Sequence, residues 1–291
     1  MLYDLEPDLP ALTDPVIIAA LDGWVDAAGA ASAAVEQISR DATLVARFRG
    51  DELFDYRSRR PVLDVMDGVL KDLVWPELAV RHVRHGDRDL LILAGAEPDL
   101  RWETLARELG ELCRTLGVVQ WVSLGAVPAA VPHTRPVPVM ATASDTGLLR
   151  NGEVPGPSGL LRVPAAALSV LEIGVSRGGL PAVGFFAQVP PYAGTGYAAA
   201  SVALIEHLGR HLDVSLPAGG LRAAATVEHQ RFDQAVETDP ETRDIVGRLE
   251  LMGEGDEGQE RLPTGEELAS ELERFLREHA GEDPDAPGFS S

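Results

Sequence analysis

The sequence predicts an α/β fold in which a mostly parallel or mixed central sheet is covered by helices on both faces. The first observation is that short apolar runs alternate along the chain with segments of helical periodicity, the pattern of successive βα units. The second is that hydrophobic residues make up 45% of the 291 residues, enough to fill a sizeable core without a metal or a disulfide. We therefore expect one main domain with a helical C-terminal extension.

Short apolar or alternating runs predict the strands, and each run is bounded by turn residues or by a helical segment. The predicted strands are residues 16–21, 43–48, 78–83, 89–94, 118–124, 137–141 and 181–188. The third and fourth of these runs flank His85, Gly86 and Asp87, so we expect them to form a hairpin.

Apolar residues at a spacing of three and four predict the helices that cover the sheet. The predicted helices are residues 27–38, 102–116, 164–176 and 195–212. The second of them shows the spacing clearly, with Leu105, Leu109 and Leu112 on one side, and Gly117 is placed to end it.

The sequence pattern changes after Pro217, where charged helical segments replace the alternation of strands and helices. We expect an α/β domain over residues 1–217 and amphipathic helices within residues 218–280, including one over 265–280. The tail at 281–291 holds Pro, Gly, Ser and acids with little to bury, so it is expected to be disordered.

The charge and the cysteine content limit the classes of partner and site. A net charge of -21 repels nucleic acid phosphates and anionic membranes, so we expect neither as a partner. Cys113 is the single cysteine, which excludes an internal disulfide and a cysteine-based zinc cluster and fits a reducing compartment. The acidic N-terminus lacks the features of a secretory signal, and no apolar run approaches the roughly 20 residues of a membrane span. We expect a cytoplasmic protein without a metal or other cofactor.

The first βα junction offers a candidate ligand-binding rim at Asp22, Trp24 and Asp26. Ligands of open α/β sheets gather where strands end and helices begin, because unpaired helix N–H groups point there. The alternative is structural, with Asp26 capping the helix and Trp24 serving as a packing anchor. No glycine-rich nucleotide-binding motif accompanies the junction.

A second junction also lies between a strand and a helix and contains Glu97 and Arg101. Asp99 fits an N-cap, and Glu97 and Arg101 are close enough in sequence to pair across the junction. The junction is therefore a candidate binding site or a structural cap.

A third junction is stiffened by four prolines between residues 128 and 138 and presents His133 and Arg135. A histidine can act as acid or base, and an arginine can clamp an anion. The rigid loop suits either catalysis or a contact surface. The candidates for a catalytic role are thus His133, Asp22 and Glu97.

The usual nucleophile and metal patterns are weak in this sequence. Ser123-Leu124-Gly125 lacks the complete GxSxG pattern of a nucleophile elbow, and Cys113 lies on the apolar side of its helix. His207 and His211 have the spacing of a helical metal pair, but no third ligand is identifiable. The sequence does not decide whether the protein is an enzyme, and the weakness of these patterns argues against enzymatic activity.

A basic strip precedes Pro61 and contains Tyr56, Arg57, Arg59 and Arg60. In so acidic a protein, these residues are candidates for a subunit interface or for an acidic partner. A solvated loop is the alternative.

Several of these segments together resemble the proteasome assembly chaperone family, in its actinobacterial-type branch. The matching stretches are residues 21–31 (LDGWVDAAGAA), 55–61 (DYRSRRP), 73–77 (LVWPE), 97–102 (EPDLRW) and 125–138. The resemblance implies an α/β domain similar to the phosphorylase/hydrolase-like architecture of nucleoside phosphorylases, assembled into homo-oligomers. It also implies protein partners related to the proteasome and no established reaction.

The resemblance fails at the C-terminus. Some eukaryotic and archaeal members of the family escort proteasome α subunits through a terminal hydrophobic-Tyr-X tail. This sequence ends in Gly288, Phe289, Ser290 and Ser291 and lacks the penultimate tyrosine.

Two functions remain open from the sequence. The first is a non-enzymatic scaffold or assembly-chaperone-like protein. The second is a small-molecule-binding protein, or a hydrolase/phosphorylase-like enzyme, acting at the carboxyl edge of the sheet. The second requires the side chains of the three junctions to converge on one cleft.

Overall fold

The structure, a computed structural model, describes residues 1–254. Its centre is a nine-stranded sheet, and a separate two-stranded hairpin lies beside it. The strands are β1 (Tyr3–Leu5), β2 (Val16–Asp22), β3 (Thr43–Phe48), β4 (Val62–Met66), β5 (Val69–Val74), β6 (Leu78–His85), β7 (Arg88–Ala96), β8 (Gln120–Pro128), β9 (Val139–Ala143), β10 (Val154–Pro155) and β11 (Ala182–Val189). The hairpin consists of β4 and β5.

Seven α-helices accompany these strands in the described part of the chain. They are α1 (Ala30–Ile38), α2 (Gly50–Leu53), α3 (Trp102–Thr115), α4 (Ala167–Arg177), α5 (Ala198–Leu212), α6 (Gly219–Thr238) and α7 (Pro240–Glu254). Short 3-10 turns precede α1 at Ala27–Gly29 and follow β9 at Thr146–Leu148.

The large sheet is mixed, with the order β1-β3-β6-β7-β2-β8-β11-β9-β10. Its centre is parallel, since β2 pairs with β7 and β8, and β8 pairs with β11, in that sense. The flank from β7 through β6 and β3 to β1 is antiparallel. The predicted α/β fold is confirmed, and so is the predicted hairpin, now β6–β7.

Strand β2 explains why the sheet carries a core on each face. Successive side chains of a strand point to opposite faces, and a strand covered on both sides is apolar throughout. Ile18 belongs to one buried cluster, with Ala34 of α1 and Leu204 of α5. Ile17 belongs to the other, with Leu109 of α3. The molecule therefore has three layers, with α1 and α5 on one face and α3 and α4 on the other.

The sequence predicted no element between residues 48 and 78, where the structure has α2 and the β4–β5 hairpin. The hairpin turns at Asp67 and Gly68, both of which have positive φ, at 53° and 76°. Asp-Gly is the expected sequence for such a tight turn. All residues of β4 and β5 are exposed.

The C-terminal helices begin at Gly219. Phe232 of α6 packs against the core of the α1/α5 face, and Val246 of α7 is buried. The division into domains at residue 217 stays a prediction, and the segments 265–280 and 281–291 lie outside the described residues. No helix within residues 1–254 has both the length and the apolar character that crossing a membrane requires.

Candidate functional site

The first two predicted junctions are neighbours, because β2 and β7 run in parallel and end at the same edge. Asp22 is paired in register with Ala96, and the Glu97 N–H donates to the Asp22 carbonyl over 2.9 Å. Glu97 Oε2 accepts the Trp24 main-chain N–H at 2.7 Å. Its other oxygen, Oε1, accepts the Ala167 N–H at 2.7 Å. One carboxylate thus joins the loop after β2 to the start of α4.

A cleft of about 320 Å³ opens beside Glu97, and we name it the Trp24 cleft. It is lined by Trp24, Arg59, Glu97, Pro98, Asp99, Trp102, Pro164 and Ala165. The Trp24 side chain is 71% exposed on its rim, so Trp24 is not the buried packing anchor that the structural alternative required. The cleft has aromatic walls and carries both signs of charge.

Arg59 is the member of the basic strip that reaches this cleft. Its guanidinium donates to the Asp22 carbonyl at 2.8 Å and lies 3.7 Å from the Asp22 carboxylate. Tyr56 donates its hydroxyl to Asp51 at 2.8 Å and packs edge-on against Trp75. Arg57 and Arg60 are exposed. Their interface role stays a prediction.

Asp26 lies outside the cleft and caps α1. Its carboxylate accepts the Ala31 N–H at 2.7 Å and the hydroxyl of Ser32. Burial raises the pKa of Asp26, and the hydrogen bonds from Ser32 and Ala31 offset only part of that rise. This geometry agrees with the structural interpretation of Asp26, in which its side chain caps the helix.

Arg101 and Asp99 have partners other than those expected from the sequence. Arg101 forms an ion pair with Glu52, while Glu97 is held by main-chain N–H groups, so the expected pairing of Glu97 with Arg101 is absent from the described contacts. Asp99 accepts the Asp55 N–H at 2.9 Å, and the residue at the N-cap of α3 is Arg101. This second junction fastens α2 and the loop after it to the start of α3.

His133 does not share the Trp24 cleft. Its ring bonds to the Tyr192 hydroxyl at 2.7 Å and lies 3.4 Å from Asp233 of α6. It also packs against Phe232. The residue is only 3% exposed, and this burial lowers the pKa of His133 against the opposing effect of Asp233. The imidazole therefore anchors α6.

The loop that carries His133 also holds α7. Arg135 donates to the Glu250 carbonyl at 2.8 Å, and Thr134 donates its hydroxyl to the Glu250 side chain at 2.6 Å. A groove of about 900 Å³ runs between this loop, α5 and α6. We name it the His133 groove. It is lined by His133, Arg135, Tyr197, His207, Arg222 and His229, among others.

The cleft and the groove lie on opposite faces of the sheet and have no lining residue in common. Glu97 bonds to α4, whereas His133 packs against Phe232, which belongs to the core beneath α1 and α5. A single rim was expected because β8 was predicted to end at residue 124, close to the ends of β2 and β7. The strand instead continues to Pro128, four residues or about 13 Å farther. The loop after it can therefore reach α6.

The remaining chemical candidates are used in packing. Trp121 donates its indole N–H to the Ser123 hydroxyl at 2.8 Å, and Ser123 is fully buried. Burial raises the pKa of Cys113 to about 12. His211 bonds to Glu153 at 2.8 Å and His207 bonds to the Ala203 carbonyl at 2.9 Å. Within residues 1–254, no three His, Cys, Asp or Glu side chains are arranged to hold a metal ion.

One partly buried acid was not among the predicted site residues. Glu172 of α4 lies against Thr142 and Ser123, and burial raises the pKa of its carboxyl. In the sequence it is a single acid within an apolar helix, which usually indicates the solvated face. Its burial depends on the three strands beneath α4 and could not be read from its neighbours in the chain.

Comparison with solved structures gives the same fold in actinobacterial proteins. A Corynebacterium glutamicum protein of unknown function is 30% identical, with a TM-score of 0.83 over 89% of this chain and 99% of that one. The Mycobacterium tuberculosis protein Rv2714, also of unknown function, is 35% identical, with a TM-score of 0.82 over 87% and 91% of the two chains. No curated protein matches this chain significantly.

A further match carries a functional description. The Mycobacterium tuberculosis proteasome-assembly chaperone homologue Rv2125 is 33% identical, with a TM-score of 0.72 over 79% of this chain and 99% of that one. The profile of the PAC2 family matches residues 20–236, which contain the Trp24 cleft and the His133 loop. This chain belongs to the PAC2 family, the proteasome assembly chaperone family that its motifs resemble.

Proposed function

We propose that this chain is a non-enzymatic scaffold or assembly-chaperone-like protein of the cytoplasm, with proteasome-related protein partners and the capacity to form homo-oligomers. The observation that carries the proposal is the structural use of two of its three acid and base candidates, Glu97 and His133. The third, Asp22, is an exposed carboxylate 3.7 Å from Arg59. Both carboxylate oxygens of Glu97 accept main-chain N–H groups, and the His133 ring is buried beneath α6. A general acid or base must reach the proton that it transfers. Neither arrangement favours that role.

The surface around the Trp24 cleft suits contact with a protein. Trp24 is 71% exposed on the rim, and Leu160, in the segment that leads to the cleft, is 81% exposed. Exposed apolar residues near one another mark interaction sites, and tryptophan is enriched among the residues that dominate binding energy. The relative Rv2125, described as a proteasome-assembly chaperone homologue, supports the class of partner.

Binding to purified proteasome α subunits tests this proposal. The full chain would be mixed with α subunits of the Mycobacterium tuberculosis proteasome, and the complexes would be weighed by native mass spectrometry. We expect a defined complex with the wild-type chain. Trp24→Ala should weaken it by roughly 30-fold or more, the usual effect of removing a dominant interface tryptophan.

Val227→Ala is the matched control, because Val227 is 56% exposed on α6, which packs on α5 at the opposite face of the sheet. It should leave the complex unchanged. Absence of any complex with the wild-type chain, or equal weakening by the two variants, would contradict the proposal.

The second candidate is a small-molecule-binding protein that uses the Trp24 cleft. Its volume of about 320 Å³ lies at the lower end of ligand pockets, about 300–1,000 Å³. Two tryptophans and Arg59 would suit a planar anionic ligand. A hydrolase or phosphorylase activity has less support, because the described residues that line the cleft include no Ser, Thr, Cys or His.

A panel of nucleosides, nucleotides and carboxylic acids tests this candidate by thermal shift. A ligand of the cleft should raise the melting temperature of the wild-type chain and should fail to do so for Arg59→Ala. If no compound raises the wild-type melting temperature, the small-molecule-binding candidate is rejected and the scaffold proposal is retained.

A further inference from the structure

A groove of about 780 Å³ follows the helix pair α3 and α4, and we name it the α3–α4 groove. The two helices touch where Gly174 meets Ala106, since a β-carbon at residue 174 would lie 2.6 Å from Ala106 Cβ. Residues of both helices line the groove, and none of them lines the Trp24 cleft or the His133 groove. The α3–α4 groove is therefore a third, separate surface.

The lining of the α3–α4 groove is largely apolar and reaches solvent. Val118, Val170 and Leu180 are half-buried in it, and the Ile173 side chain is 50% exposed. Gly110 also lines the groove and has no side chain to keep a partner at a distance. An amphipathic helix binds by laying its apolar face into a groove of this kind.

Three exposed arginines surround the apolar lining, with Arg107 and Arg114 on α3 and Arg177 at the end of α4. Among the contacts of residues 1–254, none of the three forms a hydrogen bond or an ion pair. Glu103 is the one acid in the lining, so three positive charges and one negative charge give the groove a net charge of +2. The chain as a whole carries -21, and the groove therefore has the opposite sign to the molecule.

The spacing of the arginines matches the repeat of a helix. Arg107 and Arg114 are seven residues apart on α3, which places them about 10 Å apart on one side of it. A second helix lying along α3 presents acids at the same interval when they occur seven residues apart. Arg177 comes from the other wall of the groove, so it meets acids on the other side of the apolar stripe. Each guanidinium can bind a carboxylate through two hydrogen bonds.

We propose that the α3–α4 groove binds an acidic amphipathic helix of a protein partner. The apolar stripe of that helix covers Ile173, and its carboxylates pair with Arg107, Arg114 and Arg177. The inference goes beyond the proposed function, which places the partner at the Trp24 cleft. A single helix brings its negative charge only into the groove, whereas a nucleic acid or an anionic membrane also meets the acidic remainder of the surface and is repelled.

A synthetic peptide of Leu and Glu, with the Leu residues on one stripe, is the probe. At about 18 residues it forms a helix of about 27 Å, long enough to follow α3. Fluorescence anisotropy with the full chain measures its dissociation constant. We expect Ile173→Asp and Arg107→Glu each to raise this constant roughly 10-fold or more, because each removes a contact made inside the groove.

Two substitutions on α6, at the opposite face of the sheet, are the matched controls. Val227→Asp corresponds to Ile173→Asp, because Val227 is 56% exposed. Arg231→Glu corresponds to Arg107→Glu, because Arg231 is also an exposed helical arginine. Both control variants should bind the probe like the wild-type chain, and circular dichroism checks that all four variants keep the fold.

A neutral peptide with Gln in place of Glu separates the charge pairs from the apolar contact. It should bind the wild-type chain more weakly than the acidic probe does. Arg107→Glu should change its dissociation constant less than about twofold, whereas Ile173→Asp should weaken the binding of both peptides. A scrambled Leu/Glu peptide, whose Leu residues form no stripe, should not bind measurably.

The helix-binding role is contradicted if the acidic probe does not bind, if the scrambled peptide binds equally well, or if Arg107→Glu and Arg231→Glu act alike. Stronger probe binding by Phe275→Asp would give the groove to the chain's own segment beyond residue 254. Loss of an oligomer in Arg107→Glu, seen by sedimentation velocity, would give it to a second copy. Either result overturns the external partner. Trp24→Ala should bind the probe normally, so the outcome is independent of the test at the Trp24 cleft.

Discussion

Glu97 and Trp24 are joined by a hydrogen bond of 2.7 Å from the Trp24 main-chain N–H to Oε2 of Glu97. The same carboxylate receives the N–H of Ala167 through its other oxygen. Glu97 thus fixes the rim of the Trp24 cleft to both β7 and α4, which makes it a structural tie at the place where the sequence suggested a catalytic acid.

Removing this tie should destabilise the fold. Glu97→Ala leaves two main-chain N–H groups without their acceptor, and hydrogen bonds to a charged group contribute about 1.5–3 kcal/mol each. We expect the free energy of unfolding, measured by urea denaturation, to fall by about 2–4 kcal/mol. Glu97→Gln keeps one acceptor and should lose about half as much. A loss below about 0.5 kcal/mol for Glu97→Ala would contradict the structural role.

Gly23 must remain a glycine because the loop passes close to Glu97. A β-carbon at residue 23 would lie 2.0 Å from Glu97 Oε2 and 2.4 Å from Glu97 Cβ. Gly23→Ala should therefore lower the free energy of unfolding by about 1–3 kcal/mol. Gly110→Ala is the control, because a β-carbon there meets open space within α3, and alanine should stabilise that helix by about 0.5–1 kcal/mol. Equal effects of the two changes on the free energy of unfolding would contradict the close approach of residue 23 to Glu97.

The thiol of Cys113 should be inert in the folded protein. Burial raises its pKa to about 12, so almost no thiolate is present near neutral pH, and the side chain is only 2% exposed. Iodoacetamide at pH 8 should leave the native chain unmodified over hours and alkylate the unfolded chain within minutes. Mass spectrometry of both samples measures the difference. Rapid labelling of the native chain would mean that α3 opens readily.

Protonation of His133 should loosen α6. Burial holds the folded-state pKa of His133 below its ordinary value of 6.5, so the unfolded chain binds this proton more readily than the folded one. The stability that neutral His133 contributes is complete above pH 6.5 and is lost as the pH falls through the lowered folded-state pKa. Neighbouring Asp233, Glu250 and His229 act on the same ring.

Urea denaturation of the wild-type chain and of His133→Phe between pH 7.5 and about pH 5 isolates this effect. The pKa of His207 is also lowered by burial, but it is present in both proteins and cancels in the difference. The stability advantage of the wild-type chain should shrink as the pH falls. A difference that is constant across this range would contradict the burial of a neutral imidazole beneath α6.

The centre of the sheet was predictable because its strands are buried on both faces, whereas the short, largely exposed edge strands β1 and β10 were not predicted. Runs such as residues 16–21 are apolar throughout, and both the run and the helix after it were found close to their observed bounds. The β4–β5 hairpin was missed although Asp67-Gly68 is a strong turn signal, because its apolar residues cover no core.

The candidate site was predictable only in part. Asp22 and Glu97 meet because parallel neighbours end at one edge, a consequence of the predicted topology. The contact of Arg59 with Asp22 joins positions far apart in the chain, and the burial of His133 depends on where α6 docks. Neither has a local sequence signal.

We propose above that the Trp24 cleft and its surroundings form a protein-binding surface. Hydrogen–deuterium exchange of the full chain with and without purified proteasome α subunits tests it most directly. We expect slower exchange in the peptides that contain Trp24 and residues 160–165, with no change in the peptide that contains His133. No protection at any peptide, or protection confined to the His133 groove, would contradict it.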